Sequence, residues 1–458
     1  MRRPPRIWPP RIWAPRIWAP WVGALALITV SVIWGIRLQD AEPRINLGAA
    51  PLIGRDPLDG WRWRFGWGLL GAAMIGTVVI AGVARQWWWR CRLRWLLPLT
   101  GTAAGAFATS LALTDGRDGL LHGAVHRTEY LANLATTPPA GEFLRSFVTD
   151  IDRYSVHVRG HPPGFVLVLK MLDAIGLRGH WPVVALSIGG TVVVPVAALV
   201  AVWAVAGSDW VRRCAPLLVV APYALWMVTS ADAVYTAVGS CGVAACTLGL
   251  RATQRAALAW GALGGLLLGG LLMLTYGGAV FVMVPLVACV VALRRHESGA
   301  RAAAAVMAAA IVAGGAVTTL FWAYGFWWFA GAAETQRQYW AGTARLRPFA
   351  YFMLANLAAS LIAVGPATFA GMIKMCELRR TPNRVAVLVV GGAVALMAAH
   401  VSQYSRAEVE RIWLLFFPWL ALSGGMLVSR TNRRLAMMAV GAQVTGAVVL
   451  QAALVSKW

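Results

Sequence analysis

The sequence predicts an all-α integral membrane protein, a helical bundle of about thirteen transmembrane helices. Three observations carry that expectation. Hydrophobic residues make up 59% of the 458-residue chain and charged residues only 13%, roughly half the charged share of a soluble domain. Apolar runs near the length needed to cross the hydrocarbon core, about 20 residues, recur along most of the chain. The arginines behind the formal net charge of +23 collect in short clusters between those runs, the positive-inside pattern of cytoplasmic loops. Nucleic acid is therefore not the expected partner; anionic membrane lipid is.

Residues 1–20 carry Pro-Arg-Ile-Trp three times, at Pro5–Trp8, Pro10–Trp13 and Pro15–Trp18. Proline at that period opposes a helix, so a disordered basic-aromatic tail on the cytoplasmic headgroups is expected. A cleaved signal peptide is not, because no small-x-small site follows the first apolar run. Residues 21–94 hold two spans, about 21–36 and 66–84, joined by an external loop 37–64 and followed by the basic cluster Arg85 to Arg94.

The main transmembrane domain, 95–458, opens with a span over about 95–113 and continues into a polar external loop, 114–163. Further spans are expected near 182–206, 215–229, 235–250, 257–273, 277–293, 302–328, 350–373, 385–400, 412–428 and 435–455. The piece 164–177, with Lys170 and Asp173 inside it, is expected to be interfacial or re-entrant. On this threading Arg212-Arg213, Arg294-Arg295, Arg379-Arg380 and Arg433-Arg434 all fall on the cytoplasmic side of the plasma membrane. The six cysteines show no CxxC or metal-ligand spacing and read as small hydrophobes.

A polar loop of this length exceeds what joining two membrane helices needs, so it is expected to bind something. The same threading brings Asp232, Tyr276, the 330–348 loop with Glu334, Arg337, Arg345 and Arg347, and the segment Tyr404-Ser-Arg406-Ala-Glu408-Val-Glu410-Arg411 to the external side. A shared external cavity follows. The loop closes on His157-Val-Arg159-Gly-His161-Pro-Pro-Gly164; in an extended segment His157, Arg159 and His161 point to one side. Orientation of the loop over substrate is the expectation. A divalent metal is conceivable but no further ligands with recognisable spacing support it. Pro162 and Pro163 make a rigid approach to the following helix.

These residues carry a resemblance. An external loop with acidic residues, then amphipathic helices, then His-Pro-Pro and an apolar helix resembles the first loop of the GT-C superfamily, in particular protein O-mannosyltransferases and lipid A aminoarabinose transferases. The matching elements are His126-Arg-Thr-Glu129-Tyr130, His161-Pro-Pro-Gly164, Pro222-Tyr-Ala-Leu-Trp226 through Ser230-Ala-Asp232, and Glu410-Arg411-Ile-Trp-Leu-Leu-Phe-Phe-Pro418. They cover roughly residue 95 onward. The chain departs from the pattern in having Gly164 where the family has Leu, in lacking a tight Asp-Glu pair before Tyr130, and in the two spans before the family's first helix.

The resemblance implies a glycosyltransferase with an external active site. It would move one sugar, such as mannose or arabinose, from a polyprenyl-phosphate donor to an envelope glycan, lipid or protein acceptor by a single inverting displacement, without a nucleotide. Such chemistry needs a carboxylate to take the acceptor proton and a cation for the departing phosphate. Asp115, Asp118 and Glu129 are the candidate bases, each of which could equally be a solvated carboxylate or helix cap. Arg411 is the candidate phosphate ligand through its bidentate fork, the alternative being an arginine that snorkels at a helix end. Tyr130, His157, Arg159, His161, Asp232, Tyr404, Arg406 and Glu408 complete the expected substrate-binding set, and a monomer is expected. Two other classes fit the same composition: an envelope lipid or glycolipid transporter or flippase, which would need charged or broken helices near the midplane, and a non-catalytic scaffold of an envelope-synthesis complex.

Overall fold

The computed structural model describes residues 15–49, 52–54, 60–294, 297–378 and 384–455. The expected all-helical architecture is present. The named strands among the described residues are the two-residue pair Gly60–Trp61 and Leu454–Val455, antiparallel to each other. Among the described residues seven helices are long and apolar enough to cross a membrane: Ala19–Ala41, Trp67–Ala84, Leu93–Val125, His180–Ala206, Gln254–Leu274, Gly299–Ala323 and Arg433–Ala453. An eighth results if Phe349–Val364 and Pro366–Glu377, bent by 104°, are one broken span. Gly365, at φ +79 and followed by proline, makes that bend.

The expected thirteen exceed this number, because the other expected spans fall on helices that are shorter, interrupted or less apolar. The segment 215–229 leaves its helix at Val219 and turns through a 3-10 stretch, Pro222–Trp226. Residues 412–428 form short pieces, Val409–Ile412, Phe417–Ala421 and Leu422–Met426, where Pro418 and Gly424-Gly425 weaken a continuous helix. Asp232–Gly249, Met283–Leu293 and Ala386–Ser402 are helices of 18, 11 and 17 residues. Gly164–Ala174, 11 residues, reaches about 16 Å, well short of the roughly 30 Å hydrocarbon core.

At the N-terminus the structure corrects one expectation. Helix Pro15–Ala41 includes the third Pro-Arg-Ile-Trp copy, since proline is tolerated in the first turn of a helix, where its missing N–H has no partner to lose. The first two copies lie outside the described residues, as do Arg295 and Arg379-Arg380.

Packing follows small residues. Gly261, Gly265 and Gly269 form one stripe on helix Gln254–Leu274 facing the next long helix. A Cβ on them would lie 2.6, 2.3 and 2.9 Å from Val306 O, Ala310 O and Gly314 Cα. This small-xxx-small spacing lets the backbones approach closely where lipid supplies no hydrophobic drive. The outward side of Gly299–Ala323 exposes Ile311, Val312 and Leu320.

The loops sort to two ends. Gln86 Nε2 donates to Arg430 O (3.0 Å), and Arg212 donates to the Trp89 and Cys91 carbonyls (3.3 and 3.1 Å), so the basic segments around Arg85–Arg94, Arg212 and Arg430 gather at one end. Helix Leu93–Ala112 leads from there toward the other end, where the 114–163 loop lies.

Candidate active site

Glu129 and Tyr130 lie just beyond helix Gly116–Val125, in a turn closed by the Glu129 N–H donating to His126 O (2.9 Å). The turn is pinned to the far arm of the same loop. The His157 N–H donates to Thr128 O (3.1 Å), Ser155 Oγ donates to Glu129 O (3.1 Å), and the Ser155 N–H donates to Asn133 Oδ1. These bonds carry the Glu129 side chain inward, to 4% exposure. There Glu129 Oε1 lies 2.7 Å from His157 Nδ1.

His157 and Arg159 are not extended. They lie on a short helix, Val156–Gly160, whose 3.6-residue period replaces the expected alternation. His161 Nδ1 meets the His157 carbonyl at 2.9 Å, one helical turn on. Pro162-Pro163 then lead into helix Gly164–Ala174. Gly164 is required here: a Cβ would stand 2.3 Å from Met273 O, so a leucine could not occupy this position.

Arg411 approaches from the turn Val409–Ile412 and is 4% exposed. It is therefore not a snorkelling interfacial arginine. Its Nη1 donates to His157 Nε2 (3.2 Å). Its nitrogens also lie 3.7 Å from Asp232, 3.9 Å from Glu129 and 4.0 Å from Glu408. Because the guanidinium can only donate, His157 Nε2 must accept, which leaves the imidazole proton on Nδ1, facing Glu129. Asp232 begins helix Asp232–Gly249, and Ser230 Oγ both donates to its carboxylate (2.5 Å) and accepts from its N–H (2.9 Å).

The charges follow from this packing. Burial pushes the Glu129 carboxyl up to about 7; Arg411 opposes the shift and Asp232 adds to it. Burial, reinforced by Arg411, holds His157 well below the usual histidine range, so the ring is neutral. Burial also lowers His161. For Arg411 burial works against the charge, but Asp232, Glu129 and Glu408 outweigh it and hold the guanidinium above its ordinary value.

His157, His161 and Arg411 line a cavity of about 440 Å³ together with Arg159, Tyr276, Arg347, Tyr404, Arg406 and Glu408. Among the described residues no hydrogen bond or ion pair engages the Arg159 guanidinium, so it is a cation available to a ligand. Arg406 is committed elsewhere, lying 4.4 Å over the Trp340 ring and donating to Arg347 O (2.6 Å). Tyr404 OH donates to Ala332 O. Tyr130 OH accepts from Tyr235 OH (2.7 Å) behind the histidines.

Asp115 and Asp118 do not join this group. Both are exposed and line a second cavity of about 340 Å³, where Asp115 pairs with Arg64. Among the described residues no cluster of three His, Cys, Asp or Glu side chains is placed to hold a metal ion.

Sequence reasoning missed the part played by the loop after the first helix. Arg347 Nε donates to Asn46 O (2.9 Å), the Glu408 N–H donates to Gly48 O (3.0 Å), and Arg347 lies 3.7 Å from Glu408. Gly48 sits at φ +54, strained for any residue with a Cβ, and a Cβ there would fall 2.8 Å from Arg347 Nη2, which would have to shift. Ala407 and Glu408 adopt φ of +82 and +59, costly for residues with a Cβ. Asn356, bonded to Ser405 O (3.1 Å) and to the Ala407 N–H (3.3 Å), holds that turn. The Asn46-x-Gly48 turn was the available signal.

Comparison with family models, with characterised proteins and with solved structures finds no match to this chain. What the molecule establishes is a helical membrane protein with a buried, charge-dense site at one end.

Proposed function

We propose that this chain is a membrane glycosyltransferase of GT-C type. It would transfer one sugar from a polyprenyl-phosphate donor to a hydroxyl of an envelope glycan, lipid or protein, on the external face of the plasma membrane, as a monomer. The observation that carries the reading is Glu129: a buried carboxyl that titrates near neutrality, joined through His157 to a cavity that also presents the available cation Arg159. A general base works best with its pKa near the working pH.

In the proposed reaction the acceptor oxygen attacks the anomeric carbon as the bond from that carbon to the phosphate oxygen breaks. The electron pair leaves with polyprenyl phosphate, whose charge Arg159 meets. The acceptor proton reaches Glu129 by relay: the acceptor hydroxyl replaces Arg411 as the donor to His157 Nε2, which takes that proton as Nδ1 gives its own to Glu129. Arg411 holds the Glu129, Asp232 and Glu408 carboxylates together rather than taking the phosphate, a change from the role the sequence suggested. In this reading the shorter helices complete the thirteen crossings, and the Arg85, Arg212 and Arg433 clusters face the cytoplasm.

Two experiments test the reading. Purified protein incubated with a panel of polyprenyl-phosphate sugars and membrane-derived acceptors is expected to yield a glycosylated product with release of polyprenyl phosphate. Absence of product across the panel, together with movement of labelled lipid between leaflets of proteoliposomes, would transfer the site to a lipid transporter. Sidedness is the second. In a variant without native cysteines, Ala140→Cys is expected to react with an impermeant maleimide in intact cells and Thr431→Cys only after permeabilisation. Reaction of both from outside defeats the external-site assignment.

A further inference from the structure

The second cavity has a wall built by a segment with no part in the chemistry above. Residues 60–65 run extended along the end of the last long helix: Gly60–Trp61 pairs with Leu454–Val455, and the Arg62 and Arg64 N–H groups donate to the carbonyls of Ala453 and Ala452, both at 2.8 Å. An extended chain sends alternate side chains to opposite sides. Arg62 and Arg64 accordingly line the cavity, while Trp61, Trp63 and Phe65 are exposed. Trp63 and Phe65 stack on one another at 6.2 Å, Phe65 is 82% exposed, and Trp67, 87% exposed, opens the span Trp67–Ala84. The strip thus stands where a membrane helix meets water, the level at which exposed tryptophans lie among lipid headgroups.

The cavity behind the strip presents both signs of charge. Arg64 is used internally, donating to Gln451 O (3.3 Å) and Leu454 O (2.8 Å) and pairing with Asp115. Among the described residues no hydrogen bond or ion pair engages the side chains of Arg62 and Asp118. Beside them His122 and His126 stack at 5.2 Å. A purely anionic ligand would meet the two aspartates, and a cationic one the two arginines. A ligand with a phosphate and an ammonium a few ångströms apart satisfies both.

We propose that this cavity binds the headgroup of a zwitterionic aminophospholipid from the surrounding leaflet. Its phosphate lies at Arg62 and the two imidazoles, its primary ammonium lies at Asp118, and its acyl chains pass the Trp61-Trp63-Phe65 face. The site is separate from the Glu129 cavity and stands whether or not the transferase reading does.

Native mass spectrometry of the full chain released from nanodiscs of equimolar phosphatidylethanolamine, phosphatidylcholine and phosphatidylglycerol tests this. The expected result is selective retention of phosphatidylethanolamine. Arg62→Ala and Asp118→Asn should each lower it about tenfold, as loss of one charge-assisted contact implies, while Arg159→Ala leaves it unchanged. Equal retention of the three lipids, preference for phosphatidylglycerol, or unaltered retention in both variants would overturn the proposal. So would equal competition by soluble glycerophosphoethanolamine, which would make the ligand a free headgroup, or displacement by a neutral oligosaccharide, which would make it a glycan site.

Discussion

Glu129→Gln is expected to lower sugar transfer by about 10²- to 10⁴-fold, the range for loss of a general base, while binding of the polyprenyl-phosphate donor persists. The amide keeps the volume and can still accept from His157 Nδ1, so the fold is not at risk; what disappears is a group able to take a proton. The pH profile separates this from a merely structural role. Because burial raises the carboxyl to about 7, wild-type turnover under saturating donor should climb as pH rises through that value and then level off. The residual rate of the glutamine variant should lack that inflection. Asp115→Asn and Asp118→Asn, on the other cavity, should leave transfer near normal. Normal transfer in Glu129→Gln sinks the base assignment.

Arg411→Ala is expected to cost more than activity. The residue lies within 4.0 Å of three carboxylates, and removing one partner of a buried ionic group leaves uncompensated charge, at about 3–5 kcal/mol. Purified Arg411→Ala should melt well below wild type in detergent, and the loss should shrink as the buffer is made more acidic and the carboxyls protonate. Pairing it with Glu129→Gln and Asp232→Asn should recover much of the stability but no transfer. Arg411→Lys should recover part of the stability, since one ammonium cannot reach all three partners as the fork does. A melting temperature equal to wild type in Arg411→Ala would show that the carboxylates do not need it.

Much of this site was legible because the chemistry sits in short, recognisable strings. Glu129-Tyr130, His157 to His161, Asp232 and Glu408 to Arg411 were all named from sequence, and the fold brings them together. What sequence could not show was the choice among carboxylates. Asp115, Asp118 and Glu129 lie within fifteen residues of one another, and only the bonds from Ser155 and His157 turn one of them inward. Nor did sequence show how deep Arg411 lies: its position before an apolar run suggested an interfacial helix end, whereas it is buried beside Glu129, Asp232 and Glu408. The loop before residue 64 looked like a simple connection because its partners are hundreds of residues away.

That separation sets an order on how the protein is made. Gly48 meets Glu408, Asn46 meets Arg347, and Gly60–Trp61 meets Leu454–Val455, contacts 301 to 395 positions apart along the chain. A ribosome adds about 5–20 residues per second, so the segment between the first two long helices waits some tens of seconds for its neighbours. Both cavities therefore close last. Until then the Asn46 and Gly48 carbonyls lack their partners Arg347 and Glu408, and the newly inserted bundle carries an exposed polar seam at its rim, where a holding factor or a quality-control protease would find its opening.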